Sequence, residues 1–262
     1  MNVTLDDGTA YWLDPTAELS TLNALPKLVR GAHAFRIDGQ GGQLMRIPES
    51  SEKTSTVQQK IDVNFSPKYT AKVSRTYTLT GDAAGWLRLF LRNREKEGRS
   101  HHLHLPGFLM GEFIMPTKVM IEGLRHPSAD LLLMSEGEHR WMLNNEGVLT
   151  IDHLLDPSDA DLMAMLNQSE LLNSPRIFSK ETTLNFATPH RLAMSTNHFS
   201  LDGPLKLRAN VNRLEQGKKF VITIRLELSP EKIVELGESA FVKTLQSAQL
   251  MMEQSLKFIP VN

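Results

Sequence analysis

Between Lys218 and Leu228 every second residue is apolar: Phe220, Ile222, Ile224 and Leu226 fall on one parity, with mostly polar residues on the other. A period of two puts alternate side chains on opposite faces of an extended chain, so this pattern predicts a strand with one face buried and one open to water. The pattern recurs. Val57, Ile61, Val63 and Phe65 share one parity before Pro67, and Ala71, Val73, Arg75, Tyr77 and Leu79 share one after it. Two antiparallel strands are the simplest account of Val57 to Thr80.

Shorter stretches, Pro116 to Ile121, Asp130 to Ser135, His139 to Leu143 and Gly147 to Ile151, are separated by glycine and Asn-Asn turns and predict a meander. Ile177 to Phe186, Arg191 to Thr196 and Pro204 to Leu214 add further strands. At the N-terminus, Val3-Thr4-Leu5 and Ala10-Tyr11-Trp12-Leu13 flank an Asp-Gly turn and predict a hairpin. Ala17 to about Thr56 is glycine-rich, notably around Asp38 to Gly42, and is expected to be mostly irregular.

Helices interrupt this pattern. Gly81-Asp82 precedes Ala83, Ala84, Leu87, Leu89, Phe90 and Leu91, with Asp82 placed to cap. Asp156 and Pro157 open a second helical pattern running to Asn167. Ser229-Pro230-Glu231 begins a third, in which Val234, Phe241, Leu245, Ala248, Met252, Leu256 and Ile259 recur in steps of three, four and seven. That spacing predicts a long amphipathic helix closing the chain, with Gly237 as a kink.

The expected fold class is therefore α+β, mainly antiparallel β, with sandwich-like layers and a long C-terminal helix. Three regions are expected: 1–56, an N-terminal hairpin and irregular connection; 57–175, a β-rich domain with one or two helices; and 176–262, a β-sheet domain ending in the amphipathic helix. Asn173-Ser174-Pro175 is the expected seam.

With 262 residues, 40% of them apolar, the chain is long enough to bury a sizeable core. A formal charge of −1 gives no electrostatic case for nucleic acid or an anionic surface. No apolar run approaches membrane-spanning length, so membrane insertion is not expected. Met1 to Gly8 has neither the basic nor the apolar region of a signal peptide. There is no cysteine, which removes a thiol nucleophile and a thiolate metal site from the chain itself.

Few constellations carry chemistry. His102 and His104 share a parity and are the candidate metal ligands, although no carboxylate at matching spacing completes a site. A solvated loop explains that cluster more simply. His139, His153, His190 and His198 are scattered, and surface or hydrogen-bonded histidines account for them. Arg88, Arg92, Arg94, Lys96 and Arg99 fit a solvated helix face near the C-terminal end of the dipole. Ser195, Asp202 and His190 or His198 assemble a hydrolase triad on paper only, since no Gly-x-Ser-x-Gly elbow surrounds Ser195. No cofactor is expected.

Gly8-Thr-Ala-Tyr11-Trp12-Leu13-Asp14-Pro15-Thr16 resembles the end of the catalytic core of bacterial transglutaminase-like, papain-related proteins. Leu44-Met-Arg-Ile47-Pro48, Tyr77 to Ala84 and the run from Leu226 to Met252 resemble the regions that follow that core in members flanked by domains of unknown function. The resemblance implies that Asp14 matches the third member of a Cys-His-Asp triad, whose carboxylate orients the imidazole. The matching Cys and His would lie upstream of Val3, so Asp14 alone would be inactive.

The function so implied is a non-catalytic accessory region of a transglutaminase-like protein, with no enzymatic activity of its own. It would bind or position a protein, peptide or cell-envelope partner for an upstream catalytic core. A periplasmic or secreted parent is implied by the same resemblance. The alternative is a stand-alone β-sandwich module for a peptide or glycan.

Overall fold

The alternating segments assemble into one eight-stranded sheet. The computed structural model describes residues 2–4, 6, 10–12, 29–38, 41–47, 55–96, 117–126, 130–140, 143–145, 147–151, 176–193, 198–229, 235, 237–252 and 256–261. Two hairpins come first: β1 (Asn2–Thr4) with β2 (Ala10–Trp12), and β3 (His33–Asp38) with β4 (Gly41–Arg46). Then follow β5 (Ser55–Phe65), β6 (Thr70–Leu79), helix α1 (Gly81–Lys96), β7 (Lys118–Glu122), β8 (Leu131–Arg140) and β9 (Leu149–Ile151). The remaining elements are β10 (Arg176–Asn185), β11 (His190–Leu192), β12 (His198–Leu201), β13 (Leu205–Leu214), β14 (Lys219–Leu228), α2 (Glu238–Met252) and β15 (Leu256–Pro260).

The main sheet runs β12-β13-β14-β10-β5-β6-β8-β7. Every neighbouring pair is antiparallel except β10 and β5, which lie parallel over ten residues from Arg176↔Ser55 to Asn185↔Asn64. That central pair joins strands from before and after the expected seam at 173–175, which itself lies outside the described residues. The two expected β-rich regions thus share one sheet.

A second, three-stranded sheet of order β11-β15-β9 supplies Leu149, Leu256 and Phe258 to the apolar core of the first. The result is β-rich and sandwich-like, as the alternation predicts. The larger core cluster unites inward residues of β13, β14, β10 and β5 with Phe241 and Ala248 of α2. A smaller cluster packs Ala84, Leu87 and Leu91 of α1 against Tyr77, Leu79, Leu131 and Leu133. The i, i+3, i+7 spacing of those α1 residues places them on one stripe of the helix. The first turn of α1 is tied to the sheet by Ser55, whose hydroxyl accepts from Ala83 N at 2.9 Å. An otherwise orphan helical donor is satisfied in this way.

Four expectations are corrected. The chain does not end in one long helix: Gly237 has a left-handed φ of +84°, α2 stops at Met252, and Leu256 and Ile259 belong to β15. The steps of three and four hold only to the end of α2. Beyond it Leu256 and Phe258 are buried while Lys257 is exposed, which is the period of a strand. The region 17–56, expected to be mostly irregular, contains a β-ladder, in which β3 and β4 pair from His33↔Arg46 to Asp38↔Gly41. Asp130–Ser135 and His139–Leu143 are not separate strands, since β8 runs unbroken through Gly137 to pair with β6.

The fourth correction is Arg88, which does not sit on a solvated face. Only 1% of its surface is exposed. Its Nε donates to the Gly123 carbonyl at 3.0 Å, in the turn after β7. That turn requires glycine: φ is +78°, and a Cβ there would sit 2.2 Å from the Asp130 carbonyl oxygen. Burial lowers the Arg88 pKa from its ordinary value, and the Asp130 charge opposes the shift. The helical spacing that selects Ala84, Leu87 and Leu91 also turns Arg88 inward, with its charge anchored on a carbonyl.

Candidate binding groove

In a sheet, register partners share a face. The apolar residues Phe220, Ile222, Ile224 and Leu226 define the inward face of β14, so Thr223 and Arg225 face outward. Carrying that parity across the ladders yields two outward rows over five strands. One is Arg208, Arg225, Ser179, Gln58 and Thr78; the other is Asn210, Thr223, Glu181, Lys60 and Thr76. These ten residues line a groove enclosing about 590 Å³. Gln59, Lys180 and Ile224 also border it, and because their side chains face inward they contribute main chain.

Five strands at a spacing of about 4.8 Å make a floor roughly 19 Å long, which spans about six residues of extended chain. The ten outward side chains are all polar or charged, and of both signs. Lys60 Nζ lies 3.9 Å from Glu181 Oε1 near its centre, with the two side chains 61% and 47% exposed. At one end Arg208 Nη2 contacts Asp202 Oδ1 at 2.5 Å, and Arg225 Nε contacts Glu227 Oε1 at 2.5 Å. Exposed pairs of this kind contribute only about 0–1 kcal/mol each to stability. Their chemical capacity is hydrogen bonding: hydroxyls, carboxamides and guanidinium groups offer both donors and acceptors to a polar ligand.

The inward face holds a different constellation. His190 is 1% exposed, and its Nδ1 lies 2.8 Å from the Thr188 carbonyl. A carbonyl only accepts, so Nδ1 carries the proton and Nε2 accepts from the Tyr69 hydroxyl at 3.0 Å. The ring stacks on Phe186 at 4.1 Å, and Phe186 in turn touches Phe65, Phe220 and Phe258. Burial holds the His190 pKa below the ordinary imidazole value, opposed by the hydrogen bond to Thr188, and burial raises that of Tyr69. Tyr69 adopts a left-handed φ of +58°. These features make the pair a fixed interior contact between the β5–β6 turn and β11.

Of the site residues expected from sequence, Asp14, His102 and His104 lie outside the described residues, as do Ser195 and His153. The β1–β2 hairpin that leads to Asp14 is present, with Asn2↔Trp12 to Thr4↔Ala10 in register, and forms a sheet of its own. The other members of the paper triad have separate engagements: Asp202 with Arg208, His190 with Tyr69 and Thr188, and His198 Nδ1 with Asn210 Oδ1 at 2.6 Å. Among the described residues no group of three or more His, Cys, Asp or Glu is placed to hold a metal ion. No helix among them is long and apolar enough to cross a membrane.

Sequence reasoning did not single out Lys60, Glu181, Arg208 or Arg225. The signal was there in the polar parity of the same strands whose apolar parity identified the core. These features define a class: a β-rich, sandwich-like protein with a polar groove across the open face of its main sheet. The chain matches no protein-family model and no curated protein.

Proposed function

We propose that this chain is a non-catalytic binding region, the accessory part of a transglutaminase-like protein, which holds a peptide or glycan partner in the outward groove. The observation that carries the reading is the groove itself: two rows of polar side chains across five strands, about 590 Å³ in volume. A linear polymer with many hydrogen-bonding groups suits a long, shallow, polar floor. The Trp12-Leu13-Asp14-Pro15-Thr16 resemblance supplies the parent family, and an upstream core with Cys and His would supply the chemistry that Asp14 cannot perform alone. The same groove serves a stand-alone module equally well.

The test is binding by the isolated chain. Immobilised protein is presented with peptide and oligosaccharide arrays, and hits are titrated calorimetrically. Saturable binding that weakens on substituting Lys60, Glu181 or Thr223 supports the groove. A chain inert to both arrays removes it. The parent family is tested separately by the gene's upstream reading frame, where a stop codon with no Cys- and His-encoding core before Met1 argues for the stand-alone module.

A further inference from the structure

Arg208 and Arg225 are direct cross-strand partners on β13 and β14. Like charges in that position repel, and here the repulsion is offset by Asp202 and Glu227, each 2.5 Å from one of the two guanidinium groups. Both are also held in orientation, Arg208 by groups at the β12–β13 turn and on its own strand, and Arg225 by Glu227 on the same outward face of β14. Arg208 Nη1 donates to the Leu201 and Leu207 carbonyls at 2.9 and 3.0 Å, and its Nη2 to Asp202. Arg225 donates through Nε to Glu227. A guanidinium carries five N–H groups, so these contacts fix orientation and leave donors on both residues, chiefly Nη1 and Nη2 of Arg225, for the groove they line.

We infer that Arg208 and Arg225 form the carboxylate-reading end of the groove, and that its ligand is an extended peptide held there by its C-terminal carboxylate. The inference rests on the groove being the binding site. Three observations favour a terminal anion on a peptide. The arginine pair lies at one end of the floor, not its middle. Glu181 occupies the middle row position and is paired with Lys60, so the middle of the floor carries no net positive charge to draw an acidic group placed part-way along a ligand. Among the described residues no aromatic side chain lines the groove, so none of them offers a sugar ring a flat apolar surface, whereas Ser179, Gln58 and Thr78 continue the arginine row with partners for peptide amides.

The experiment passes three probes over the immobilised full chain: randomised hexapeptides with free carboxyl termini, the same pool amidated at the C-terminus, and a hexamer of galacturonic acid. The free-carboxylate pool is expected to be retained and the amidated pool to pass. Loss of a charge-assisted hydrogen bond should weaken retention about tenfold in Arg225→Gln and in Arg208→Gln. Lys72→Gln, on the same face but outside the groove, should leave it unchanged. Circular dichroism and urea midpoints establish that each variant is folded. Equal retention of the amidated pool overturns the carboxylate assignment while leaving the groove reading standing. Full retention by both arginine variants overturns the assigned residues. Retention of the uronate hexamer with both peptide pools passing overturns the peptide, and passage of all three probes removes the inference together with its groove.

Discussion

The two faces of the eight-stranded sheet treat polar side chains in opposite ways. On the inward face polar side chains are sealed from water and held by fixed neighbours: His190 lies between Tyr69 and Thr188, and Gln59 Nε2 donates to Tyr77 Oη at 2.6 Å, while Gln59 Oε1 and the Arg75 atoms Nε and Nη1 are buried without a hydrogen-bond partner. Arg88, inward on the helix that covers this face, is likewise anchored, on Gly123. On the outward face Lys60, Glu181, Arg208 and Arg225 are partly exposed and arranged in rows. Polar groups sealed from water must find fixed partners, so inward ones specify the fold. Outward ones stay hydrated and exchange partners at little cost, so they are the groups a ligand meets. The comparison teaches that burial, more than residue type, separates architecture from recognition here.

The sharpest way to break that contrast is to attack the inward face where it is purely apolar. Phe220 is 0% exposed and packs edge-on against Phe186 and Phe258 at ring distances of 5.9 and 5.0 Å. Phe220→Ala is expected to cost about 3–5 kcal/mol in urea unfolding, the range for truncating a buried aromatic. A loss below about 1 kcal/mol would mean that this cluster is not the core. Arg88→Met comes next. It keeps the volume but leaves the Gly123 carbonyl without its donor, so a loss of about 1–3 kcal/mol is expected. A solvated arginine, as the sequence suggests, would instead show almost no change on replacement.

That arginine shows where the sequence is legible and where it is not. Alternation located β5, β6, β10, β13 and β14, because each buries one face over most of its length, β13 as far as Val211. It did not reveal that β10 lies parallel to β5, since pairing across more than a hundred residues leaves no local trace. Leu256 and Ile259 continued a helical spacing by coincidence, and tertiary pairing with β9 and β11 made them strand. The β3–β4 hairpin was obscured because Phe35, Ile37 and Leu44 are exposed, so its apolar pattern is not that of a buried face. The groove was half legible: the polar parity was visible, but which strands are neighbours, and hence that Arg208 meets Arg225, was not.

A smaller effect separates the faces by pH. His190 and His139 both have folded-state pKa values below the ordinary imidazole value. Burial is the first cause for each, and the Arg75 charge adds to the depression at His139. Between that depressed value and an unfolded value of about 6.5 the unfolded chain binds more protons, so stability is complete above about pH 6.5 and falls as pH is lowered through this window. Each group adds a slope of up to about 1.4 kcal/mol per pH unit. Urea midpoints between pH 5 and 8 should show the decline, and His190→Gln should make it shallower. Tyr69→Phe should cost about 1–2 kcal/mol at neutral pH by stripping Nε2 of its donor. A midpoint independent of pH across this range would show that neither imidazole is sealed.

The smallest stability effect belongs to the groove, and its smallness is the point. Glu181 pairs with Lys60 at 3.9 Å with both side chains about half exposed. Salt and water screen such a pair, so Glu181→Gln should shift unfolding by less than about 0.5 kcal/mol. The substitution removes the one negative charge from the two rows and leaves Lys60, Arg208 and Arg225, so affinity for an anionic ligand should rise while stability stays put. Calorimetric titration of wild type and variant against the same free-carboxylate peptide, with urea melts of both, separates the two readouts. If stability falls by more than about 1.5 kcal/mol instead, the outward face is structural as well, and the division of labour between the faces does not hold.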